Sequence, residues 1–246
     1  MLTSAKDKVD EIFRPYLLCS ENIGSADEKF LSDRFSIIKL PPFDALDRPV
    51  SSHADMLICR LGDLLVIHES YYRQNRDLFD TTGINFSKIN MPVSKRYPND
   101  IALNGLFLSD ILYGRTDKLA DALCRNAKKT VFVRQGYTRC SVCKISENAI
   151  ITADPSIANA AQENSVDVLR IKEGHVLLDG YDHGFIGGAS FFYKDTVFFF
   201  GRVEDLPDYG KIKDFAEKHS VKLVSTSQNP LYDIGGAVIY EHKRRP

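Results

Sequence analysis

Residues 181–201 read YDHGFIGGASFFYKDTVFFFG, and this stretch decides the fold. Two adjacent glycines, Gly187 and Gly188, precede a strongly β-favouring segment that is interrupted by polar residues at 194–195. Aromatic and β-branched runs on both sides of a short polar turn are typical of a β-hairpin. The glycine pair returns in YDIGGAVIYEHK, where Gly235 follows Gly187 by 48 positions. The stretch therefore predicts a structural corner that the fold uses more than once.

Four further hairpins align with this one by their turns. The turns begin at 62, 109, 147, 194 and 242, so their spacings are 47, 38, 47 and 48. The turn pairs are Gly62-Asp63, Ser109-Asp110, Glu147-Asn148, Lys194-Asp195 and His242-Lys243. Self-similarity at a period of this length is the signature of a repeat architecture.

Each complete unit continues with a helix and another strand. The patterns predict helices at 70–83, 116–129, 154–165 and 206–220, with strands following at 84–90, 130–135, 166–171 and 221–227. Thr116 and Asp154 are the expected N-caps of the second and third helices, and Pro155 suits a first helical turn. The sequence thus predicts an α/β fold of ββαβ repeats.

The fifth unit stops after its hairpin turn, and the N-terminal part of the chain supplies what it lacks. A helix is expected at 4–13 and a strand at 35–40. We expect a single domain over residues 1–246, in which segment 1–45 completes the fifth repeat. The predicted architecture is a five-bladed α/β propeller with pseudo-fivefold symmetry, since a closed ring removes exposed strand edges.

The composition indicates an ordinary globular protein. Of the 246 residues, 43% are apolar and 26% are charged, with a net charge of −1. Neither a basic nucleic-acid surface nor a long apolar run is present in the sequence, so we expect no nucleic-acid or membrane partner. Five cysteines, an odd number, do not suggest a secreted disulfide framework, so a cytoplasmic location is expected. The sequence leaves the oligomeric state open.

Aligning the units by their turns gives columns of equivalent residues. Counted nine, seven and five positions before each turn, the columns are His53, Asp100, Thr138, Phe185 and Asp233; Asp55, Ala102, Cys140, Gly187 and Gly235; and Leu57, Asn104, Val142, Ala189 and Ala237. If these segments are extended, alternate residues share one face. Small residues fill much of that face, as a narrow space at the centre of a ring requires.

Ionisable residues from separate repeats converge in these columns and predict a ligand site. The catalytic candidates are His53, Asp55, Asp100 and Cys140, and the ligand-binding candidates are Asn104, Arg139, His183, Gly187 and Asp233. His53 suits a general base that Asp55 or Asp100 orients, and Cys140 suits a nucleophile if a cationic histidine lies near. Paired carboxylates suit a guanidinium, and Arg139 suits a carboxylate ligand.

Most of these residues also have a structural interpretation. His53 and Asp55 fit the capping of a chain segment, and Asp100 and Asp233 fit side-chain turns to the backbone. Cys140 fits a small buried filler, and His183 a turn-stabilising role. The pair Cys140 and Cys143 has the spacing of a zinc or redox pair, but no second pair exists, so we expect no metal and no cofactor.

On its fivefold repeat and the glycine pairs of FIGGAS and DIGGAV, the chain resembles the pentein superfamily of guanidino-group modifying enzymes, and within it an uncharacterised bacterial branch. The resemblance implies a central site for a guanidino, amide or amino-acid-like ligand, with hydrolysis of a C–N bond if the protein is an enzyme. Pentein enzymes carry a nucleophilic cysteine just beyond the last glycine pair, where residues 237–240 read AVIY. The position likened to the catalytic acid carries Ala189. The alternative is a non-catalytic binding or scaffold module.

Overall fold

The computed structural model describes residues 14–241, which form five three-stranded sheets. The strands are β1 (Tyr16–Ser20), β2 (Ser36–Leu40), β3 (Ile58–Leu61), β4 (Leu64–His68), β5 (Phe86–Ile89), β6 (Leu106–Leu108), β7 (Ile111–Gly114), β8 (Lys129–Phe132), β9 (Val142–Ser146), β10 (Ala149–Thr152), β11 (Asp167–Arg170), β12 (Ser190–Tyr193), β13 (Thr196–Phe199), β14 (Lys222–Ser225) and β15 (Ala237–Tyr240). The α-helices are α1 (Ser25–Ser32), α2 (Ala54–Leu57), α3 (Glu69–Gln74), α4 (Arg76–Thr82), α5 (Asp121–Asn126), α6 (Pro155–Gln162) and α7 (Tyr209–Lys218).

Four of the sheets repeat one pattern. In the sheets that begin with β3, β6, β9 and β12, the first strand pairs antiparallel with the second, and the second pairs parallel with the third. Leu61 pairs with Leu64 and Tyr193 with Thr196, so the predicted two-residue turns lie between them. A parallel third strand requires a crossover, and a helix provides it in each unit. The predicted ββαβ repeat is confirmed.

The fifth sheet takes its strands from both ends of the described chain. β15 pairs antiparallel with β1, and β1 pairs parallel with β2. The sequence predicted β2 but not β1 or α1, and it ended the fifth unit at a turn at 242–243 without a strand to pair with β15. That turn and the predicted helix at 4–13 lie outside the described residues.

Two predicted helices differ from the observed ones. The helix expected at 70–83 divides at Asn75 into α3 and α4. The helix expected from Thr116 begins later, after Ala120, because an earlier turn is closed by the bond from Leu119 N–H to the Arg115 carbonyl at 2.9 Å. The Asp154 cap is confirmed, since its carboxylate accepts from Ile157 N–H at 2.9 Å.

Four of the five segments that precede the first strands contain turns and are not extended chain, and the fifth contains a bend at Ile234. We call all five the inner segments: 53–57, 100–104, 138–142, 185–189 and 233–237. Leu57 N–H donates to the His53 carbonyl at 3.2 Å, and Ala189 N–H donates to that of Phe185 at 3.0 Å. The expected alternation of side chains is therefore wrong in the four segments with turns, because helical turns place residues four apart on the same side.

Aromatic side chains form much of the packing between helices and sheets. Phe79 of α4 packs edge-on against Phe86 of β5, with ring centroids 5.1 Å apart. Phe35 packs edge-on against Phe191 of the fourth sheet at 5.8 Å, so the apolar contacts cross from one sheet to its neighbour. No helix within residues 14–241 combines the length and apolarity needed to cross a membrane.

Candidate functional site

The glycine pairs allow the inner segments to approach one another. A Cβ on Gly187 would lie 2.3 Å from the Val142 carbonyl oxygen, and one on Gly188 would lie 2.0 Å from Asp233 Oδ1. Gly235 has a φ of +77°, and a Cβ there would lie 2.2 Å from His53 Cβ. These positions exclude any side chain, so the glycines are required by packing.

Hydrogen bonds connect the five inner segments in a cycle. The bonds run from Asp55 N–H to the Gly235 carbonyl at 3.1 Å, from Gly236 N–H to that of Gly188 at 2.6 Å, from Gly188 N–H to that of Cys140 at 2.9 Å, from Arg139 N–H to Asn104 Oδ1 at 2.8 Å, and from Asn104 Nδ2 to the Asp55 carbonyl at 3.2 Å. Each segment is thus bonded to the next one in chain order, and the fifth is bonded to the first. This network brings the polar side chains of different repeats together.

His53 and Asp233 form a buried pair within this network. Their Nδ1 and Oδ1 atoms are 3.7 Å apart, and Asp233 also accepts from Phe185 N–H at 2.8 Å and Gly235 N–H at 2.9 Å. Burial raises the pKa of Asp233 to about 6, although the neighbouring His53 acts to lower it. Burial lowers the pKa of His53, and the charge of Asp233 opposes that shift. Both shifts favour the neutral forms of the two groups.

Asp55 lies beside this pair and lacks a complete set of hydrogen-bond partners. The residue is 3% exposed, and neither carboxylate oxygen has a hydrogen-bond partner of normal geometry in the described part of the chain. Burial raises the pKa of Asp55, while the adjacent Cys140 thiol and the charge of Arg139 lower it. The carboxylate is therefore a buried acceptor with unused capacity.

Cys140 is a buried thiol in acidic surroundings. Asn104 Nδ2 lies 2.9 Å from its Sγ atom. Burial raises the pKa of Cys140 well above its usual value, and the charges of Asp55 and Asp233 raise it further. These surroundings favour the neutral thiol over the thiolate.

A cavity of about 660 Å³ lies between the first strands of all five sheets. Asp55 and Arg139 line it from the inner segments, and Arg60, Phe107, Lys144 and Phe192 line it from the strands. We call it the inter-strand cavity. Its volume falls in the range of small-molecule sites, roughly 300–1,000 Å³.

The structure does not place all the predicted site residues in one contact network. It brings together His53, Asp55, Asn104, Arg139, Cys140, Gly187 and Asp233. Asp100 instead accepts a hydrogen bond from the Tyr137 hydroxyl at 2.6 Å, and burial raises its pKa. His183 Nδ1 lies 3.1 Å from the Gly184 carbonyl oxygen, and its ring meets Phe185 edge-on. That Asp100 shares one pocket with His53, Asp55 and Asp233 stays a prediction.

The sequence analysis missed seven charged residues that line the inter-strand cavity: Arg60, Asp63, Asp110, Lys144, Glu147, Lys194 and Glu241. Arg60 and Lys144 stand in otherwise apolar first strands, two and three positions before their turns. Charged residues at such positions were an available signal, but the columns that we compared ended five positions before the turns. Among residues 14–241, no three His, Cys, Asp or Glu side chains are grouped as metal ligands, and the five cysteines are free.

A family model described as "Family of unknown function (DUF6873)" matches residues 18–238. The chain belongs to this family. No curated protein matches the sequence.

Solved structures of penteins share the fold. The dimethylarginine dimethylaminohydrolase of Pseudomonas aeruginosa, solved with citrulline, is 11% identical over 94% of this chain and 99% of its own, with a TM-score of 0.55. The agmatine deiminase of C. jejuni is 10% identical over 97% and 85% of the two chains, with a TM-score of 0.56. The N-terminal domain of a cyanobacterial arginine dihydrolase is 11% identical over 91% and 94%, with a TM-score of 0.55. The predicted resemblance to penteins is confirmed for the fold.

Proposed function

We propose that the protein is a single-domain α/β propeller that binds a small ligand with a guanidino or amino cation at its axis. The cycle of hydrogen bonds through the inner segments supports closure of the five sheets into a ring, because the last segment bonds to the first. In a closed ring, the inter-strand cavity lies on the axis. The ligand belongs to the guanidino, amide or amino-acid-like class that the pentein resemblance implies.

The observation that carries this proposal is the Asp55 carboxylate, neither oxygen of which has a hydrogen-bond partner of normal geometry within residues 14–241. A buried carboxylate without donors is unfavourable, because burial removes its hydration without replacing it. Asp55 lines the inter-strand cavity, but its carboxylate oxygens each expose less than 1 Å², so a ligand supplies the missing donors only when adjacent side chains move aside. A guanidinium presents parallel N–H groups that fit a carboxylate bidentately, and the resulting bonds are charge-assisted. Asp55 is the proposed counter-ion of the ligand.

The surroundings of Cys140 support binding more than hydrolysis. A nucleophilic cysteine requires thiolate character, which a neighbouring cation or helix N-terminus stabilises. Cys140 instead has Asp55 and Asp233 as charged neighbours, and the lowered pKa of His53 keeps its imidazole uncharged at neutral pH. Residues 237–240 contain no cysteine either. The proposed role is therefore recognition of the cation.

Thermal unfolding with agmatine, arginine and citrulline tests this proposal. Near-saturating agmatine is expected to raise the melting temperature of the wild-type protein by about 5 to 10 °C. Asp55→Asn is expected to lose this shift, and the exposed-residue control Asp121→Asn to retain it. An equal shift in Asp55→Asn contradicts the assignment of Asp55, and no shift in the wild type supports the scaffold alternative. Ammonia or urea release that persists in Cys140→Ala overturns the binding-only role.

A further inference from the structure

We propose that the inter-strand cavity also contains an oxyanion site formed by Arg60, Arg139 and Lys144. Arg60 belongs to β3 and Lys144 to β9, whereas Arg139 belongs to the inner segment before β9. All three line the inter-strand cavity. Two sheets therefore contribute cations to the same cavity.

The two guanidinium groups are positioned by carbonyls and not neutralised by carboxylates. Arg60 Nε donates to the Gly62 carbonyl at 2.8 Å, and its Nη1 donates to that of Ile239 at 2.9 Å. Arg139 Nη1 donates to the Val142 carbonyl at 3.4 Å. Within residues 14–241, neither arginine has a carboxylate oxygen within 4.0 Å. Carbonyl bonds orient each fork and leave its charge available to an anion.

Lys144 is the third cation, and its pKa reflects its burial and the positive charge of the two arginines. It forms an ion pair with Glu147, which also accepts from Ser109 N–H. Burial lowers the pKa of Lys144, and the charges of Arg139 and Arg60 lower it further, whereas Glu147 opposes them. Mutual repulsion among three cations is relieved when an anion occupies the space between them.

The acidic residues of the cavity do not cancel this set. Five line it: Asp55, Asp63, Asp110, Glu147 and Glu241. Asp110 pairs with Lys128 at 2.6 Å, and Glu241 accepts from the Tyr193 hydroxyl at 2.7 Å. Asp63 lies in the exposed turn after β3, and burial raises the pKa of Asp55. Within residues 14–241, Lys144 is therefore the only one of the three cations that is paired with a carboxylate, that of Glu147.

The geometry favours an oxyanion of the phosphate or carboxylate type. Planar guanidinium forks match two oxygens of such a group, and a lysine adds a point charge. The site shares the inter-strand cavity with the proposed cation position at Asp55, and Arg139 lies near enough to lower the pKa of that carboxyl group, but the oxyanion contacts come from Arg60, Arg139 and Lys144. A ligand that uses both positions carries opposite charges at its two ends.

Calorimetric titration with inorganic phosphate, and separately with succinate, tests this site at constant ionic strength set by chloride. Arg60→Gln is expected to weaken oxyanion binding about tenfold or more, because a charge-assisted pair is lost. Glu147→Gln is expected to tighten it, because the competing carboxylate is removed. Arg125→Gln, which changes an exposed arginine elsewhere, serves as the control. Tighter binding of phosphate or of succinate identifies which oxyanion the site prefers.

The opposite signs of two variants make the test independent of folding defects. If Arg60→Gln and Glu147→Gln bind both oxyanions with wild-type affinity, or if Arg125→Gln weakens binding equally, the proposal is overturned. Absence of binding in the wild type also overturns it. Asp55→Asn is expected to retain oxyanion binding while losing the agmatine effect, so failure of one proposal is distinguished from failure of the other.

Discussion

Single buried residues control how the stability of this protein depends on pH. His68 is 1% exposed, and its ring lies against Phe43 with centroids 6.3 Å apart. Asp233 is 1% exposed and bonded to backbone N–H groups. Burial disfavours the charged form of both side chains. In acid the histidine becomes charged, whereas the carboxylate loses its charge. Their contributions to stability therefore change in opposite directions.

His68 is expected to destabilise the protein in acid. Burial lowers its pKa from 6.5 to about 4, so the unfolded chain binds the proton first as the pH falls. Between these two values the free energy of unfolding loses about 3 kcal/mol from this residue. His68→Leu removes this loss, as urea unfolding at pH 7 and pH 4.5 measures, while the exposed His175→Gln retains it. The same acid-induced loss in His68→Leu as in the wild type contradicts the assignment.

Asp233 is expected to make the protein more stable in acid, the opposite of the effect of His68. Burial raises its pKa from 3.8 to about 6, so the folded state binds the proton first as the pH falls. Its contribution to the free energy of unfolding therefore rises by about 3 kcal/mol between pH 6 and pH 4. Asp233→Asn lacks this gain, so its deficit relative to the wild type is smallest at pH 7 and grows in acid. Urea unfolding across this range checks the trend, and a constant deficit contradicts it.

Asp55 is expected to lower stability in the absence of ligand. Its carboxylate is buried and has no normal hydrogen-bond partner within residues 14–241. Asp55→Asn removes the tendency to bury a charge and is expected to raise the free energy of unfolding at pH 7 by about 1–3 kcal/mol. A gain in stability with loss of agmatine binding is typical of a functional residue. Destabilisation of Asp55→Asn in urea unfolding contradicts this expectation.

At the scale of elements, the glycine pairs determine how closely the inner segments pack. Gly187→Ala places a Cβ 2.3 Å from a backbone oxygen that cannot rotate away. We expect a loss of about 3 kcal/mol or more in urea unfolding. Gly210→Ala is the matched control, because its Cβ meets nothing within 4 Å and Gly210 lies in α7, so a small gain is expected there. Similar effects of the two substitutions contradict the packing argument.

The hairpins were predictable from sequence because their signals are local. Polar turns between apolar runs located β3 and β4, and the same pattern located β12 and β13. β1 was not predictable in this way, because its partner β15 lies more than two hundred residues along the chain. The column alignment found the residues of the hydrogen-bond cycle but assumed an extended chain there. Neither the turns of the inner segments nor the bond of Asp100 to Tyr137 has a local sequence signal.

At the scale of the whole molecule, the fifth sheet differs from the other four in how its first two strands, β15 and β1, are connected. The break between β15 and β1 occurs where the other sheets have a hairpin turn. Tyr240 pairs with Tyr16 in the register that Leu61 and Leu64 show in the first sheet. If the repeats are equivalent, the connection between β15 and β1 is interchangeable with the hairpin turns of the other four sheets. The proposed pseudo-fivefold symmetry predicts this equivalence, which is open to a direct test.

Circular permutation provides that test. Joining residue 246 to residue 1 and opening the chain between Gly62 and Asp63 moves the ends from the fifth sheet to the first. Both residues are exposed, and the turn between β3 and β4 carries few backbone bonds, so the new ends are expected to be tolerated. The permuted protein is expected to unfold cooperatively on heating and to keep the agmatine-dependent rise in melting temperature. A chain opened instead within β4, between Val66 and Ile67, is expected to lose both, because these buried residues pair on two sides. If the chain opened at the turn fails as completely as the one opened in β4, the repeats are not interchangeable and the N-terminal strand has a role that the other four hairpins cannot replace.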